Sequence, residues 1–442
     1  MKLEEVNNYE NAVSYCLMIP RFSGKNNPQI TKRFYAFLGE PGSNAKIVHV
    51  AGTNGKGSVC AFMDSILREN KNTVGMFVSP HLTDIRERIC YNREWIDKDS
   101  FYRAFDTVRD KLKQFRETEN EREYHPSFFE MLFFLAMVFF EEKRPDVIIL
   151  ETGLGGRLDA TNVISHPVIC VITEIGYDHM EYLGDTLPKI ASEKAGIIKR
   201  KIPVIFMDKR QETTEVIKQR AKELDALCIP VSKEDANLIS IGDKHIDFSY
   251  KSRYYENVGI TIRTKAVYQV ENALLALKAV ETLLPKEEIS QTVLQNGIEK
   301  MHWEGRMEEA APGIFLDGAH NEDGIQAFLD SVSTDGCKGR RFLLFSAVSD
   351  KQFIKMAEMI GQSGLFSRIY TAPIENERGI DKAQLNRLFD SLKETVHVDD
   401  VKEAYYLMRK QQQSNDYIYV AGSLYLIGQM KKYVKELPND QF

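Results

Sequence analysis

Between residues 45 and 206, short runs of consecutive apolar positions rich in β-branched residues alternate with longer stretches of helical periodicity. The runs KIVHVAG (46–52), TVGMFVS (73–79), DVIILETG (146–153), VICVITEIG (168–176) and IPVIFM (202–207) predict buried strands, since a half-exposed strand would alternate polar and apolar side chains. Several intervening segments are long enough for crossover helices, which implies a mainly parallel, doubly wound sheet. After Ser58 the apolar residues Val59, Phe62, Met63, Ile66 and Leu67 recur at i, i+3, i+4, i+7 and i+8, one face of a helix. FFEMLFFLAMVFF (128–140) is interrupted by Glu130 and is shorter than the roughly 20 residues a membrane span needs, so it predicts a buried helix.

Residues 229–267 differ, with short polar, strand-like pieces such as KHIDFSY and GITIRT, before YQVENALLALKAVETLL (268–284) returns to helix. A second α/β unit follows MHWEGRMEEAAPG (301–313), with strands expected at IFLDG (314–318), RFLLFSAV (341–348), RIYTAP (368–373) and DYIYVAGS (416–423). The expected fold class is α/β: a doubly wound, mainly parallel domain over 1–298 and a smaller Rossmann-like α/β domain over 299–442. No internal repeat or low-complexity segment is visible.

A chain of 442 residues is long for one core and agrees with two or three domains. Its 43% apolar and 28% charged residues are those of an ordinary globular protein. The start, MKLEEVNNYENAVSYC, carries acids where a secretory signal needs a basic and then an apolar run, so a cytoplasmic location is expected. Cys16, Cys60, Cys90, Cys170, Cys228 and Cys337 form no CxxC pair, which argues for reduced thiols over a zinc cluster or disulfide framework. A net charge of −6 offers no global attraction to nucleic acid or acidic membranes, so an anionic ligand has to be held by a local site.

VAGTNGKGSVCAF (50–62) supplies such a site. The usual phosphate loop ends Gly-Lys-Ser/Thr, whereas here Gly57 separates Lys56 from Ser58. The segment Gly52-Thr53-Asn54-Gly55-Lys56-Gly57-Ser58 nonetheless joins a strand to an amphipathic helix, whose free N–H groups and positive dipole end favour phosphate. Open α/β sheets bind ligands at the carboxyl ends of their strands. Those ends carry Lys56, then Ser79-Pro80-His81, then Glu151 before TGLGGRLDATN, then Asp178 and His179.

Lys56 can neutralise β- and γ-phosphate oxygens, and Ser79 and Glu151 offer hard oxygen ligands to Mg²⁺. Ser79 as a turn cap and Glu151 as a solvated loop carboxylate are the alternatives. His179 suits either a structural histidine or a metal ligand. Lys194, beside Glu193 in ASEKAGIIKRKIP, is by default a salt-bridged or snorkelling lysine. Gln269 and Asn272 share a helix face and either read a nucleobase edge or sit at the helix surface. Asp317, His320 and Asn321 cluster around a Gly-Ala turn, Arg306 is a phosphate cation or a surface residue, and Ser423 is a turn hydroxyl.

Taken together, the chain resembles the folylpolyglutamate synthase and dihydrofolate synthase family, within the Mur-type ATP-dependent amide ligases. The motifs are GTNGKGS (52–58), SPHL (79–82) with ERI (87–89), ETGLGGRLDATN (151–162), DH (178–179), SEKAGIIK (192–199), NALLAL (272–277), GRME (305–308), LDGAHN (316–321) and GSLYL (422–426). The family's loop carries a Gly between the lysine and the hydroxyl, as here.

The resemblance implies that Lys56 and the flanking loop hold ATP phosphates and that Ser79 and Glu151 bind one Mg²⁺. It further implies that His179 binds a second Mg²⁺ completed by a carbamate on Lys194, and that Asn272 lies near adenine, Arg306 near the phosphates and Asp317 near the ribose. His320 and Ser423 would lie near the incoming L-glutamate. The implied partners are small molecules (folate, L-glutamate and ATP), with no nucleic acid or membrane, and the implied state is a monomer.

The implied reaction phosphorylates the terminal carboxylate of the folate's glutamate tail and then transfers the acyl group to the amine of free glutamate. Bifunctional relatives tend to carry an Asp-Leu-Gly-Leu-type helix ahead of the loop. MIPRFSGKNNPQITKRFYAFLGEP (18–41) stands here instead, which favours glutamate-tail extension over dihydropteroate glutamylation. Glu304 replaces a common Pro in HWEGR. The alternatives are a bifunctional enzyme that also makes dihydrofolate, a cell-wall precursor ligase, and an ATP-gated module without ligase activity.

Overall fold

The computed structural model describes residues 3–20, 26–119, 121–242, 244–349, 351–389 and 394–436. Residues 21–25, within the segment that replaces the Asp-Leu-Gly-Leu-type helix, lie outside them. Eight strands form the first sheet: β1 (Lys46–Ala51), β2 (Val74–Phe77), β3 (Ile89–Tyr91), β4 (Glu94–Trp95), β5 (Val147–Glu151), β6 (Ile169–Ile172), β7 (Val204–Met207) and β8 (Cys228–Val231). Their order is β4-β3-β2-β5-β1-β6-β7-β8. From β2 to β8 every pairing is parallel, whereas β3 and β4 form an antiparallel edge.

The five expected strands are present, each shorter than its run by one to five residues at one or both ends. The β3–β4 edge went unread because three-residue and two-residue strands leave no periodicity to detect. β1 is central, flanked by β5 and β6, so the loops after these strands open on one crevice.

Helix Phe128–Lys143 is buried along most of its length, as its dense apolar run requires. Ser127 and Glu130 cap it reciprocally, and the Glu130 carboxylate also accepts from Thr31 at 2.6 Å and Asn26 at 2.6 Å. The acid that interrupts the sequence pattern is therefore a satisfied buried cap. No helix among the described residues is long and apolar enough to cross a membrane.

The polar, strand-like stretch becomes a three-stranded antiparallel sheet: β9 (Ala236–Ile241), β10 (Ile246–Tyr250) and β11 (Val258–Ile262). Its inner residues Phe248, Tyr250 and Ile260 pack into the cluster that also holds helix Gln269–Leu283. A third sheet comprises β12 (Glu308–Ala311), β13 (Ile314–Leu316), β14 (Arg341–Phe345), β15 (Arg368–Thr371), β16 (Thr395–His397) and β17 (Tyr417–Ala421), in the order β12-β13-β17-β14-β15-β16. Only β12 runs antiparallel to its neighbour.

One buried polar chain ties the first sheet to the loop after β5. Asp159 accepts from the N–H groups of Gly153 and Leu154, each at 2.9 Å, and from the Thr161 hydroxyl at 2.6 Å. With its proton committed to Asp159, the Thr161 oxygen accepts from His49 Nε2 at 2.7 Å. His49 Nδ1 has no hydrogen-bond partner among the described residues. Burial lowers His49 to about 3 from 6.5.

The unfolded chain therefore takes up a proton below 6.5 that the folded chain refuses until about 3, so stability falls as the pH drops through that window. We expect His49→Gln to flatten the acid limb of urea-unfolding stability between pH 6 and 4 by roughly 1.4 kcal/mol per pH unit. An acid limb with wild-type slope would refute this.

Candidate active site

The loop after β1 owes its shape to its glycines. Gly52 has φ +151°, and a Cβ there would collide with the Thr173 side chain; Gly55 has φ +86° and caps helix Lys56–Glu69. Gly57, the extra residue of the loop, lies under the indole of Trp303, where a Cβ would stand 3.1 Å from the ring. The spacing of the loop thus matches an aromatic contact from a distant part of the chain. Lys56 Nζ donates to Thr53 O at 3.1 Å and lies 4.0 Å from Glu151 Oε1.

Glu151 ends β5 and is only 3% exposed, so it is not a solvated loop carboxylate. Burial pushes its carboxyl up to about 7, against the opposing pull of Lys56 and of the Ser79 N–H, which donates to Oε2 at 3.3 Å. Lys194 is also buried, and its Nζ donates to Gly52 O at 2.7 Å. Among the described residues no carboxylate lies within salt-bridge distance of it. Lys194 is thus neither snorkelling nor salt-bridged, because it lies behind the phosphate loop, and Glu193 pairs instead with Arg157 at 2.8 Å. Burial first, then the charge of Lys56, lowers Lys194 to about 7.

After β6, Asp178 is the hub of a polar cluster. Lys351, from the loop after β14, pairs with its Oδ1, while His179 Nε2 and His320 Nε2 lie 3.8 and 3.9 Å from its Oδ2. Burial opposes ionisation of Asp178, but Lys351 and the two imidazoles hold its carboxyl well below the usual range. His320 Nδ1 donates to Gly318 O at 2.7 Å, which leaves Nε2 as the lone-pair nitrogen, and burial lowers the ring to about 4.

Asn272 and Gln269 are buried, not helix-surface residues, because their helix packs against Lys56–Glu69. Asn272 donates to Gln269 Oε1 at 2.9 Å, and Gln269 donates to Ser58 Oγ at 3.3 Å. Asp317 accepts from the Tyr268 hydroxyl at 2.6 Å and from the N–H groups of Ala319 and Met307, at 2.8 and 3.0 Å. Arg306 donates to Gly305 O at 3.0 Å, and Ser423 Oγ accepts from Tyr425 N at 3.2 Å.

One cavity of about 640 Å³ unites these groups, and all sixteen residues to which the resemblance assigns a role line it, from Gly52 to Ser423. Phe128, Phe129, Leu154, Leu158 and Leu183 give it an apolar wall. Sequence reasoning missed Lys351, Tyr268, Trp303 and the apolar wall, and it left Asp178 without a role. A lysine in the polar run SDKQF and single aromatic residues carry no pattern that marks them.

Residues 50–280 match the Mur ligase middle domain, and residues 305–424 match the Mur ligase, glutamate ligase domain. The chain is 32% identical to a dihydrofolate synthase/folylpolyglutamate synthase of Bacillus subtilis, over 97% of this chain and 99% of that one. Among solved structures it resembles folylpolyglutamate synthase from Thermotoga maritima, with 28% identity, a TM-score of 0.82, and 97% and 96% of the two chains covered. It likewise resembles E. coli FolC in complex with ADP, with 25% identity, a TM-score of 0.83, and 97% and 98% covered. Motifs, site and full-length similarity agree, and the chain belongs to the folylpolyglutamate synthase/dihydrofolate synthase family of Mur-type ligases.

Proposed function

We propose that this chain is an ATP-dependent ligase that adds L-glutamate to the glutamate tail of folate through an acyl phosphate, releasing ADP and phosphate. The observation that carries this reading is the convergence of Lys56, Glu151, His179 and Lys194 with Arg306 and His320 on one cavity. In this reading residues 1–298 form the ATP-binding domain and 299–442 the glutamate-ligase domain. The enzyme acts as a cytoplasmic monomer on small molecules, without a nucleic-acid or membrane partner.

A carboxylate is a poor acyl donor, and its approach to the γ-phosphate is opposed by like charge. Lys56 offsets that repulsion from the phosphate loop, and Arg306 adds a second cation from the other side of the cavity. The folate carboxylate oxygen attacks the γ-phosphorus as the bond to the β-phosphate oxygen breaks, giving ADP and the acyl phosphate. The glutamate amine then attacks the carbonyl carbon, and the tetrahedral oxyanion collapses with loss of phosphate. His320, its Nδ1–H fixed on Gly318, presents Nε2 to accept the amine proton, and Ser423 helps to seat the glutamate. Asn272 faces the adenine, and Asp317 keeps an acceptor position for the ribose.

The donor set fits hard divalent cations: the Ser79 hydroxyl and the buried Glu151 carboxylate for one, and the His179 imidazole for a second. Lys194, as an amine that adds CO₂ and releases a proton, would complete the second site with a carbamate oxygen, whereas an ammonium there would repel it. When bound, Mg²⁺ would supply charge neutralisation at the phosphate oxygens. Phe128, Phe129 and Leu183 offer an apolar face to the pterin and benzoyl rings.

The test is ADP release with Mg-ATP and glutamate, comparing tetrahydrofolate, dihydropteroate and no acceptor, with mass detection of products. Glutamate-extended folate is the expected product. Dihydrofolate formed from dihydropteroate would add the second activity, and ATP turnover with neither product would overturn the ligase reading.

A further inference from the structure

The Asp178 cluster contains a cation that the reaction as derived does not use. Lys351 Nζ pairs with Asp178 Oδ1 and lies 3.4 Å from His179 Nε2. Both side chains of the ion pair are largely shielded from solvent, at 7% and 10% exposed. His179 has φ +50°, a left-handed backbone that a non-glycine residue adopts only where its surroundings demand it. The backbone at His179 is therefore set by its surroundings, and the ammonium lies 3.4 Å from the nitrogen through which a cation would be ligated. Nε2 has a single lone pair, so it cannot accept from the ammonium and ligate a metal ion at the same time.

The pair also bridges the two large sheets, since Lys351 follows β14 and Asp178 follows β6. Further links cross the same seam. Asn54 and Asn321 exchange two amide hydrogen bonds, at 3.2 and 3.0 Å, and Arg210 pairs with Asp323 at 2.5 Å. Lys351 is the cation of this set that reaches His179, the residue ascribed to the second metal.

We propose that Lys351 is a tethered counter-cation of the second metal site: in the ligand-free enzyme it neutralises Asp178 beside His179, and a divalent cation binds His179 only by displacing it. The proposal rests on the reading of His179 as a metal ligand. It makes metal entry and the Lys351–His179 contact mutually exclusive, so the metal moves a side chain that links the sheets as it enters.

The experiment is titration of the full chain with Mn²⁺ in the absence of nucleotide, read by the EPR signal of the free ion. Lys351→Met is expected to tighten one Mn²⁺ per chain by about tenfold or more. Lys351→Arg, which keeps the charge, should bind as wild type, and adding His179→Ala to Lys351→Met should abolish the gain. Lys351→Gln serves in place of Lys351→Met if the latter does not fold, as judged by near-UV circular dichroism. Equal Mn²⁺ affinity in the neutral variant and wild type, with His179→Ala still weakening binding, overturns the proposal and leaves the metal reading intact. If His179→Ala has no effect in either background, both fall.

Discussion

Lys56→Ala is expected to lower glutamate ligation by about a thousandfold or more, the scale on which removal of one preorganised charge or donor at a transferring phosphoryl group acts. The side chain is poorly placed to matter for folding. Among the described residues its one hydrogen bond is to Thr53 O, its distance to Glu151 is already 4.0 Å, and it lines the cavity. In the reaction, by contrast, it meets two anions that must approach each other, and in a site with little water its charge is weakly screened. Turnover measured as ADP and product mass should collapse while the thermal midpoint moves little. A variant within tenfold of wild type would remove Lys56 from the phosphate site, and a collapse of both turnover and folding would make its role structural.

The parts of the site that the sequence discloses are those set by local rules. A lysine in a glycine-rich turn between strand and helix, and a carboxylate directly after VIIL, sit at strand ends whatever the rest of the chain does, and both line the cavity. The environment of the same residues was not legible. Lys194 reads as an ordinary helical lysine until the phosphate loop is laid over it, because its burial comes from a segment 142 residues away. Gln269 and Asn272 read equally well as surface amides, since only the packing of their helix on Lys56–Glu69 turns them inward.

Lys351 marks the limit. Its neighbours are polar, its role depends on how the C-terminal sheet meets the first, and periodicity carries no information about that juxtaposition. The fold divides in the same way: apolar strands such as β5 are evident, whereas the β3–β4 edge is short and β12, Glu-Glu-Ala-Ala, carries no apolar run to mark it.

The Glu151→Gln variant should separate catalysis from stability, because the two respond in opposite directions. Gln keeps the volume and the acceptor for Ser79 N–H but removes the anion, so a cation held by hard charged oxygens loses its strongest donor there. Ligation should fall by about a thousandfold, with a rise in the Mg²⁺ concentration needed for residual turnover. Stability should rise.

The carboxyl of Glu151 is raised from 4.5 to about 7 by burial, so the folded chain holds a proton that the unfolded chain has released between those values. Stability from this group is fully present below 4.5 and is lost as the pH climbs through 7. That interval corresponds to about 3 kcal/mol, and the variant escapes the loss. Denaturant midpoints should therefore show Glu151→Gln gaining on wild type as the pH is raised from 4.5 to 8, with the two converging at the acid end. A variant that lost activity and stability together at pH 8 would mean that the buried carboxylate holds the strand end in place, and the first metal would then need another ligand. Loss of activity with a gain in stability is the signature of a charge kept in an apolar strand end for its chemistry, at a cost to the fold that the Lys56 ammonium, 4.0 Å away, only partly offsets.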